Sequence, residues 1–306
     1  MTIAIQVRHC GRALRRLPLL AALALASAGA LAGTPINERA AADSTGQVEV
    51  SNTAGTVDVT AWARNEVEVT GELGKGTDRL EFTRTGNVTR VKVILPSKSS
   101  RVESSKLVVK VPAGSSLAVN TVSGDIGVRG LRGSQRLQSV SGDIRTAAAA
   151  EDVECKTVSG DVNITGSGQR ALLTVTTVSG DAALAKVAGE VNGNTVSGDF
   201  TIAMSETSRS RLRSTSGNLG LTGRLAADAR LDIESISGDV RLELAGPVGA
   251  EFDVSTFNGQ IRNCFGPDPV RTSEYAPGRE LRFREGSGAA RVRIKTLNGD
   301  ISVCNE

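Results

Sequence analysis

Histidine and aromatic residues are nearly absent from this sequence of 306 residues. The only histidine is His9, and the chain has one Trp, one Tyr and six Phe. Beyond residue 9, therefore, the sequence offers neither a Ser-His-Asp or Cys-His nucleophile pair nor a histidine metal site. The scarcity of aromatic rings also argues against a saccharide-cleaving groove, because such grooves usually hold the sugar chain on aromatic platforms.

Long apolar runs are also missing, apart from one at residues 17–31. Four arginines precede this run, and Ala30 and Ala32 supply the small residues of a signal-peptidase site. The run is shorter than the roughly 20 residues of a transmembrane helix. We therefore predict that residues 1–32 are a signal peptide, that no transmembrane segment remains after cleavage, and that the protein is exported to the periplasm or surface of a bacterium.

A large excess of charge of one sign is absent as well. The sequence has 36 Lys and Arg against 33 Asp and Glu, and residues 1–32 contain four of the arginines and no acid. Without that segment, 32 basic residues stand against 33 acidic ones. A chain so close to neutral is not expected to bind nucleic acid or an anionic membrane.

What the sequence does contain is a repeat. The hexapeptide Thr121-Val122-Ser123-Gly124-Asp125-Ile126 returns in close copies, whose glycines are separated by 18 to 21 residues and finally by 40. A period near 20 residues is typical of stacked repeat proteins. We assign structural turns to the nine glycines, namely Gly124, Gly142, Gly160, Gly180, Gly198, Gly217, Gly238, Gly259 and Gly299.

Each copy predicts a strand, a glycine turn and a second strand, a unit called a rung below. Apolar residues lie seven and five positions before the glycine and two after it, as with Leu117, Val119 and Ile126. This alternation predicts one buried face on each strand. A Thr or Ser stands three residues before every glycine of the nine, and stacking would align these residues in a hydroxyl ladder with hydrogen bonds between rungs. Gly55 marks a divergent first unit.

The pattern predicts an all-β protein, a single-stranded β-solenoid (β-helix) of about ten rungs with repeats of ~20 residues. A right-handed course is favoured because crossover connections between parallel strands are nearly always right-handed. The alternative is a β-hairpin meander, since Asn-Gly at residues 258–259 and 298–299 is a good hairpin turn. The predicted divisions are a polar leader at 33–46, an amino-terminal β cap at 47–112, and repeats at 113–306 with an irregular excursion at 266–290.

The repeated Thr-Val-Ser-Gly-Asp-Ile, its Asn-Gly variant in the last units, the Leu-Pro and Val-Pro strand ends and the export signal resemble the bacterial putative-adhesin family. The resemblance covers residues 45–306. It implies a β-solenoid domain of unknown function at the cell envelope, and it implies no particular activity.

The residue after the turn glycine is acidic in most rungs. A divalent cation ladder is one interpretation, because carboxylates one above another are hard oxygen ligands. The favoured interpretation is that each side chain accepts backbone N–H groups at the turn. Repulsion between solvated neighbours is only about 0.9 kcal/mol, so no metal or other cofactor is required. The weak metal candidates are Asp125, Asp143, Asp161, Asp181, Asp199, Asp239 and Asp300.

The same acids do not predict an enzyme. General acid and base catalysis needs two carboxylates in unlike environments, whereas these are equivalent by repeat. We expect a non-enzymatic envelope protein that acts as an adhesin-like binding or structural module. The alternatives are a carbohydrate-active enzyme on a β-helix scaffold and a periplasmic sensor or assembly partner of an envelope-stress system. The sequence does not identify the partner, for which an envelope protein and a surface glycan are the candidates.

Arginine is concentrated in the last third of the chain. These side chains are either a binding face for acidic glycans or phosphates, or the solvated charges that protect an edge strand. The arginines in question are Arg224, Arg230, Arg241, Arg262, Arg271, Arg279, Arg282, Arg284, Arg291 and Arg293.

Three cysteines lie beyond residue 32. Cys155 stands at a buried strand position, so it is expected to be a free, apolar thiol. Cys264 and Cys304 each follow their turn glycine by five residues, and neighbouring rungs would bring equivalent Cα atoms roughly 4.8 Å apart. That distance suits a disulfide, whereas an intervening rung would forbid one. We predict a Cys264–Cys304 bond, with the 266–290 excursion bulging outward.

Overall fold

The structure is a computed structural model and describes residues 33–97 and 102–305. The predicted signal peptide lies outside these residues. The first strands are β1 (Thr34–Ala41), β2 (Gln47–Trp62), β3 (Glu66–Leu73), β4 (Arg79–Thr85), β5 (Val88–Ile94), β6 (Ser105–Pro112) and β7 (Ser116–Arg129). There follow β8 (Gln135–Gln138), β9 (Ile144–Ala148), β10 (Val153–Lys156), β11 (Val162–Gly166), β12 (Arg170–Ser179), β13 (Ala182–Ser197), β14 (Phe200–Ser216) and β15 (Leu219–Ser237). The last are β16 (Val240–Leu244), β17 (Ala250–Asn258), β18 (Ile261–Asn263), β19 (Val270–Arg271), β20 (Arg279–Arg284), β21 (Ala290–Asn298) and β22 (Ile301–Asn305).

The repeats stack in two parallel ladders. We name each rung by its turn glycine, so that rung 124 is centred on Gly124. Segments before the glycine pair with one another in the first ladder, and segments after it pair in the second. The predicted inward positions are buried: Leu117, Val119 and Ile126 are at most 2% exposed. The all-β prediction is therefore confirmed.

The prediction of a single-stranded β-solenoid is wrong. Strands β7 and β13 each run from one ladder into the other, because the backbone stays extended through the corner. The parallel pairings consequently close a seven-stranded barrel in the order β7, β8, β10, β12, β13, β11 and β9, with the other strands outside it. The hairpin meander is not formed by these repeats either, since their pairing is parallel.

The last rungs do not stack in chain order. Strand β21 pairs with β15 on one side and β17 on the other, and β22 pairs with β16 and β18. Rung 299 therefore lies between rungs 238 and 259. Strand β20, within the predicted excursion, runs antiparallel along the outer edge of β17. The rings of Phe252 and Phe283 stack across this pair with centroids 4.5 Å apart, so an aromatic contact joins β17 and β20 in addition to their backbone pairing.

The other end of the stack is covered by additional strands. Strands β5 and β6 pair in parallel with the two halves of β2, and β4 pairs antiparallel with β5. Strands β6, β3 and β1 form an antiparallel edge, so the segment interpreted as a polar leader contains a paired strand. Arg39, Glu68 and Lys110 form a row across this edge, and the Lys110 and Arg39 hydrogen bonds lower the pKa of the buried Glu68 carboxyl.

Candidate interaction surface

The turn glycines form a column in which the backbones of adjacent rungs nearly touch. A Cβ placed on Gly198 would overlap the carbonyl oxygen of Gly180, and one on Gly217 would overlap that of Gly198. Gly198 also has a φ of +148°, which other residues rarely adopt. Glycine is therefore required by the close approach of neighbouring rungs as well as by the turn.

The column of acids after the glycines is a ladder of hydrogen bonds between rungs. The side-chain Oδ1 of each member except the last, Gln260, accepts the backbone N–H of its counterpart on the next rung, at 2.8–3.1 Å. Asn218 replaces an aspartate in this ladder and accepts the same bond from Asp239. The predicted backbone acceptor role is thus present, but it joins adjacent rungs. The series runs through Asp125, Asp143, Asp161, Asp181, Asp199, Asn218, Asp239, Asp300 and Gln260.

This ladder predicts that calcium has little effect on stability. Within residues 33–97 and 102–305, no three Asp, Glu, His or Cys side chains converge as a metal site would require. We expect the thermal unfolding midpoint to change by less than about 2 °C between excess chelator and millimolar calcium, because a ligand bound only to the folded state would raise it. A rise of many degrees with calcium would show that the carboxylates hold the cation. Asp161→Asn should leave the thermal unfolding midpoint unchanged, both in excess chelator and in millimolar calcium.

The hydroxyl column forms only part of the predicted ladder. Thr121 donates to Ser139 at 3.0 Å, while Ser214 and Thr256 donate to glycine carbonyls at 3.3 and 3.1 Å. The other hydroxyls in the column are buried without a hydrogen-bond partner among the described residues. They belong to Thr157, Thr177, Thr195, Ser235 and Thr296.

An exposed apolar column follows the corner of the stack, two residues before each glycine. Its large side chains are 39–55% exposed, and Thr215 is the one polar interruption. Sequence reasoning missed it, although its signal was an apolar residue at this outward position in eight of the nine motif copies. We call this column the ridge. In stacking order it comprises Val122, Val140, Val158, Val178, Val196, Thr215, Ile236, Leu297 and Phe257.

The arginines of the last third do not form one face. Arg241 and Arg262 project from the second ladder, and the arginines of β19 and β20 lie on the outermost strands. Arg241 and Arg282 are ion-paired with Glu243 at 2.8 Å and Asp253 at 3.2 Å. Arg230, Arg291 and Arg293 line one depression on the first ladder, and Arg241 and Arg262 line another on the second.

The cysteines occupy the predicted positions. Cys264 and Cys304 form a disulfide between rungs 259 and 299, with Cα atoms 4.7 Å apart. Cys155 is free and buried, and burial raises the pKa of its thiol to about 12. The structure contains no helix within residues 33–97 and 102–305 that is long and apolar enough to cross a membrane.

The all-β stack of parallel rungs, with one exposed apolar ridge, defines a repeat protein. Residues 36–304 match Toastrack DUF4097, and the chain belongs to this family. Comparison with the curated proteins finds no match.

The chain is also similar to solved structures. One is a putative adhesin from Parabacteroides distasonis ATCC 8503, at 11% identity and a TM-score of 0.48, covering 90% of this chain and 98% of that one. Another, from the same organism, is a putative lipid binding protein at 13% identity and a TM-score of 0.47, covering 90% and 97%. A third is a putative adhesin from Bacteroides fragilis NCTC 9343, at 11% identity and a TM-score of 0.45, covering 89% and 97%.

Proposed function

We propose that this chain is an exported, non-enzymatic protein of the bacterial envelope that acts as a binding and structural module, and that two copies bind each other through the ridge. The ridge is the observation that carries the proposal. Eight large apolar side chains, each about half exposed, form a patch on the order of 500 Å², near the upper limit for a monomer surface.

The spacing of the ridge argues for a second copy as its occupant. The ridge residues recur once per rung, at roughly 4.8 Å. A partner that contacts the whole column needs the same repeat distance over the same length, and a second copy has both. The column between the ridge and the turn glycines is uncharged, with Ser123 and Ser141 followed by further serines and two asparagines, so no charge has to be buried directly beside the ridge. An interface below about 800 Å² per partner favours a weak, concentration-dependent dimer.

The equivalence of the acids supports a non-enzymatic role. The Oδ1 atoms of Asp161 and Asp181 both accept a backbone N–H from the next rung, as do their counterparts along the ladder. A pair of carboxylates that divides the roles of acid and base needs different surroundings for its two members. The repeated column supplies the same surroundings at each position.

The proposal predicts self-association of protein recovered from the periplasm or cell surface. Sedimentation velocity should detect a dimer that forms at micromolar or higher concentration, and Val158→Lys with Val178→Lys should weaken it at least about tenfold. Placing ammonium groups on adjacent rungs within the interface would leave them poorly solvated. Both side chains are exposed in the monomer, so folding should be unaffected.

Val108→Lys with Val270→Lys is the matched control, because it replaces two exposed apolar residues away from the ridge. Equal weakening by both pairs would contradict a ridge interface. A strictly monomeric protein would exclude self-association, and flotation of that monomer with phospholipid vesicles would assign the ridge to lipid instead. Recovery only from the cytoplasm would contradict export.

A further inference from the structure

The outward face of the first ladder carries a grid of charges over its last rungs. The middle column of this grid alternates in sign from one strand to the next. Its ion pairs include Arg211 with Asp232 at 3.8 Å and Arg282 with Asp253 at 3.2 Å. Alternation of this kind neutralises the charges within the sheet. In stacking order the column is Arg211, Asp232, Arg293, Asp253 and Arg282.

The neighbouring column breaks this alternation. Arg209, Arg230 and Arg291 follow one another on rungs 217, 238 and 299, with Glu190 and Glu251 at the two ends. Arg209 lies 3.4 Å from the Glu190 carboxylate. In the described part of the chain, Arg230 and Arg291 have no carboxylate within 4 Å. Like charges directly opposite each other destabilise a sheet, so this column is an exception that the rest of the face avoids.

The exception depends on the order of the rungs. Had rung 259 followed rung 238 as in the chain, Glu251 would stand between Arg230 and Arg291, and Arg209 with Arg230 would be the one remaining like-charged pair in this column. Insertion of rung 299 brings Arg230 and Arg291 into direct register instead.

These arginines line a surface depression of about 280 Å³. Its lining includes Arg209, Arg230, Arg291 and Arg293, and the side chain of Leu231 beneath them is buried. The planar guanidinium fork binds carboxylate, sulfate and phosphate oxygens in pairs. The volume is at the small end of ligand sites, and it suits one acidic group with its sugar ring.

We propose that Arg230 and Arg291, with Arg209 and Arg293, bind an acidic polysaccharide lying along the stack. Neighbouring arginines of the column lie one rung, roughly 4.8 Å, apart, so two guanidinium groups can hold one carboxylate or sulfate group between them, and the row of arginines continues along the stack. This extends the binding function proposed above. It is tested independently of self-association, because the ridge lies at the corner and these arginines lie on the strand face.

The test is titration of the protein with polygalacturonate as a carboxylated glycan, heparin as a sulfated glycan and dextran as a neutral one. At 50 mM NaCl we expect binding of at least one acidic glycan and none of dextran, with affinity falling at least tenfold at 300 mM NaCl. Arg230→Gln with Arg291→Gln should weaken binding at least tenfold without lowering the thermal unfolding midpoint, because both side chains are exposed and the change removes a like-charged pair.

Arg136→Gln with Arg145→Gln is the matched control, since it removes two exposed charges that are ion-paired with Glu154 and Asp143. An equal loss of glycan affinity in the two double variants would show that binding responds to net charge alone. That result would overturn the proposed site. Absence of binding to both acidic glycans would overturn it as well. Tighter binding of a single-stranded oligonucleotide than of either glycan would overturn the assigned ligand class. Comparison of heparin with polygalacturonate distinguishes sulfate from carboxylate recognition.

Discussion

Gly198→Val is expected to destabilise the protein by at least about 3 kcal/mol. A β-branched residue at a φ of +148° is strained by up to about 3 kcal/mol, and its Cβ would overlap the Gly180 carbonyl oxygen on the next rung. Relief of this overlap requires the two rungs to separate, which would lengthen the hydrogen bonds between them. The measurement is the midpoint of urea unfolding.

Two controls separate this effect from a general sensitivity of the corner. Gly220→Val places a side chain where the nearest atoms to its Cβ are 3.9 and 4.0 Å away, so it should be tolerated. Asp199→Asn should cost less than about 0.5 kcal/mol, because an amide oxygen also accepts the N–H of the next rung, as Asn218 does from Asp239. Equal destabilisation by Gly198→Val and Asp199→Asn would refute the role given to the glycine column.

The strand faces were predictable because their signal is local. The alternation of apolar and polar residues on either side of Gly124 is enough to place Leu117, Val119 and Ile126 in the core, and all three are buried. The hydrogen-bonding type of the aspartates was also accessible, since Asx side chains at turns commonly bind backbone N–H groups. The sequence could not show that the N–H group belongs to the next rung, because that depends on how the rungs stack.

The order of the last rungs could not be predicted from the period. The copies centred on Gly259 and Gly299 are 40 residues apart, and nothing in either copy states which one pairs with β15. The choice depends on contacts between residues distant in the sequence, and Phe252 with Phe283, across the β17–β20 pair, is one of them. The arginine column was hidden for the same reason, since Arg230 and Arg291 are neighbours only in this order.

The ridge was hidden by a different cause. Valine at an outward strand position is ordinary, because β-branched residues favour strands on either face. Only the stacking of rungs turns Val122, Val140 and Val158 into one continuous surface.

Removal of the Cys264–Cys304 disulfide is expected to cost up to about 4 kcal/mol, because the bond closes a loop of 39 intervening residues. The loss should be confined to the carboxy-terminal rungs, since repeats contact only their neighbours. Hydrogen exchange on Cys264→Ser with Cys304→Ser should therefore accelerate in β17 and β20–β22 and remain unchanged in β7–β12. Cys155→Val is the control, and as a volume-conserving core change it should cost less than about 1.5 kcal/mol.

Thiol counting tests the bond directly on a chain that begins at Gly33. The unfolded, unreduced chain should have one reactive thiol, and three would exclude the disulfide. The native chain should have none at pH 8, because Cys155 is buried and its thiol pKa is raised to about 12.

The order of the rungs needs a separate cross-link, because Cys264 and Cys304 would be neighbours in either order. Glu243 is the Cα partner of Cys304 in the parallel pair of β16 and β22. In a Cys264→Ser background, Glu243→Cys should therefore form a disulfide with Cys304, since adjacent rungs are roughly 4.8 Å apart. If rung 259 followed rung 238 instead, Cys304 would be two rungs away and beyond the roughly 6.8 Å limit of a disulfide. In that case Glu243→Cys would bond Cys264 in a Cys304→Ser background, and the column of three arginines would not exist.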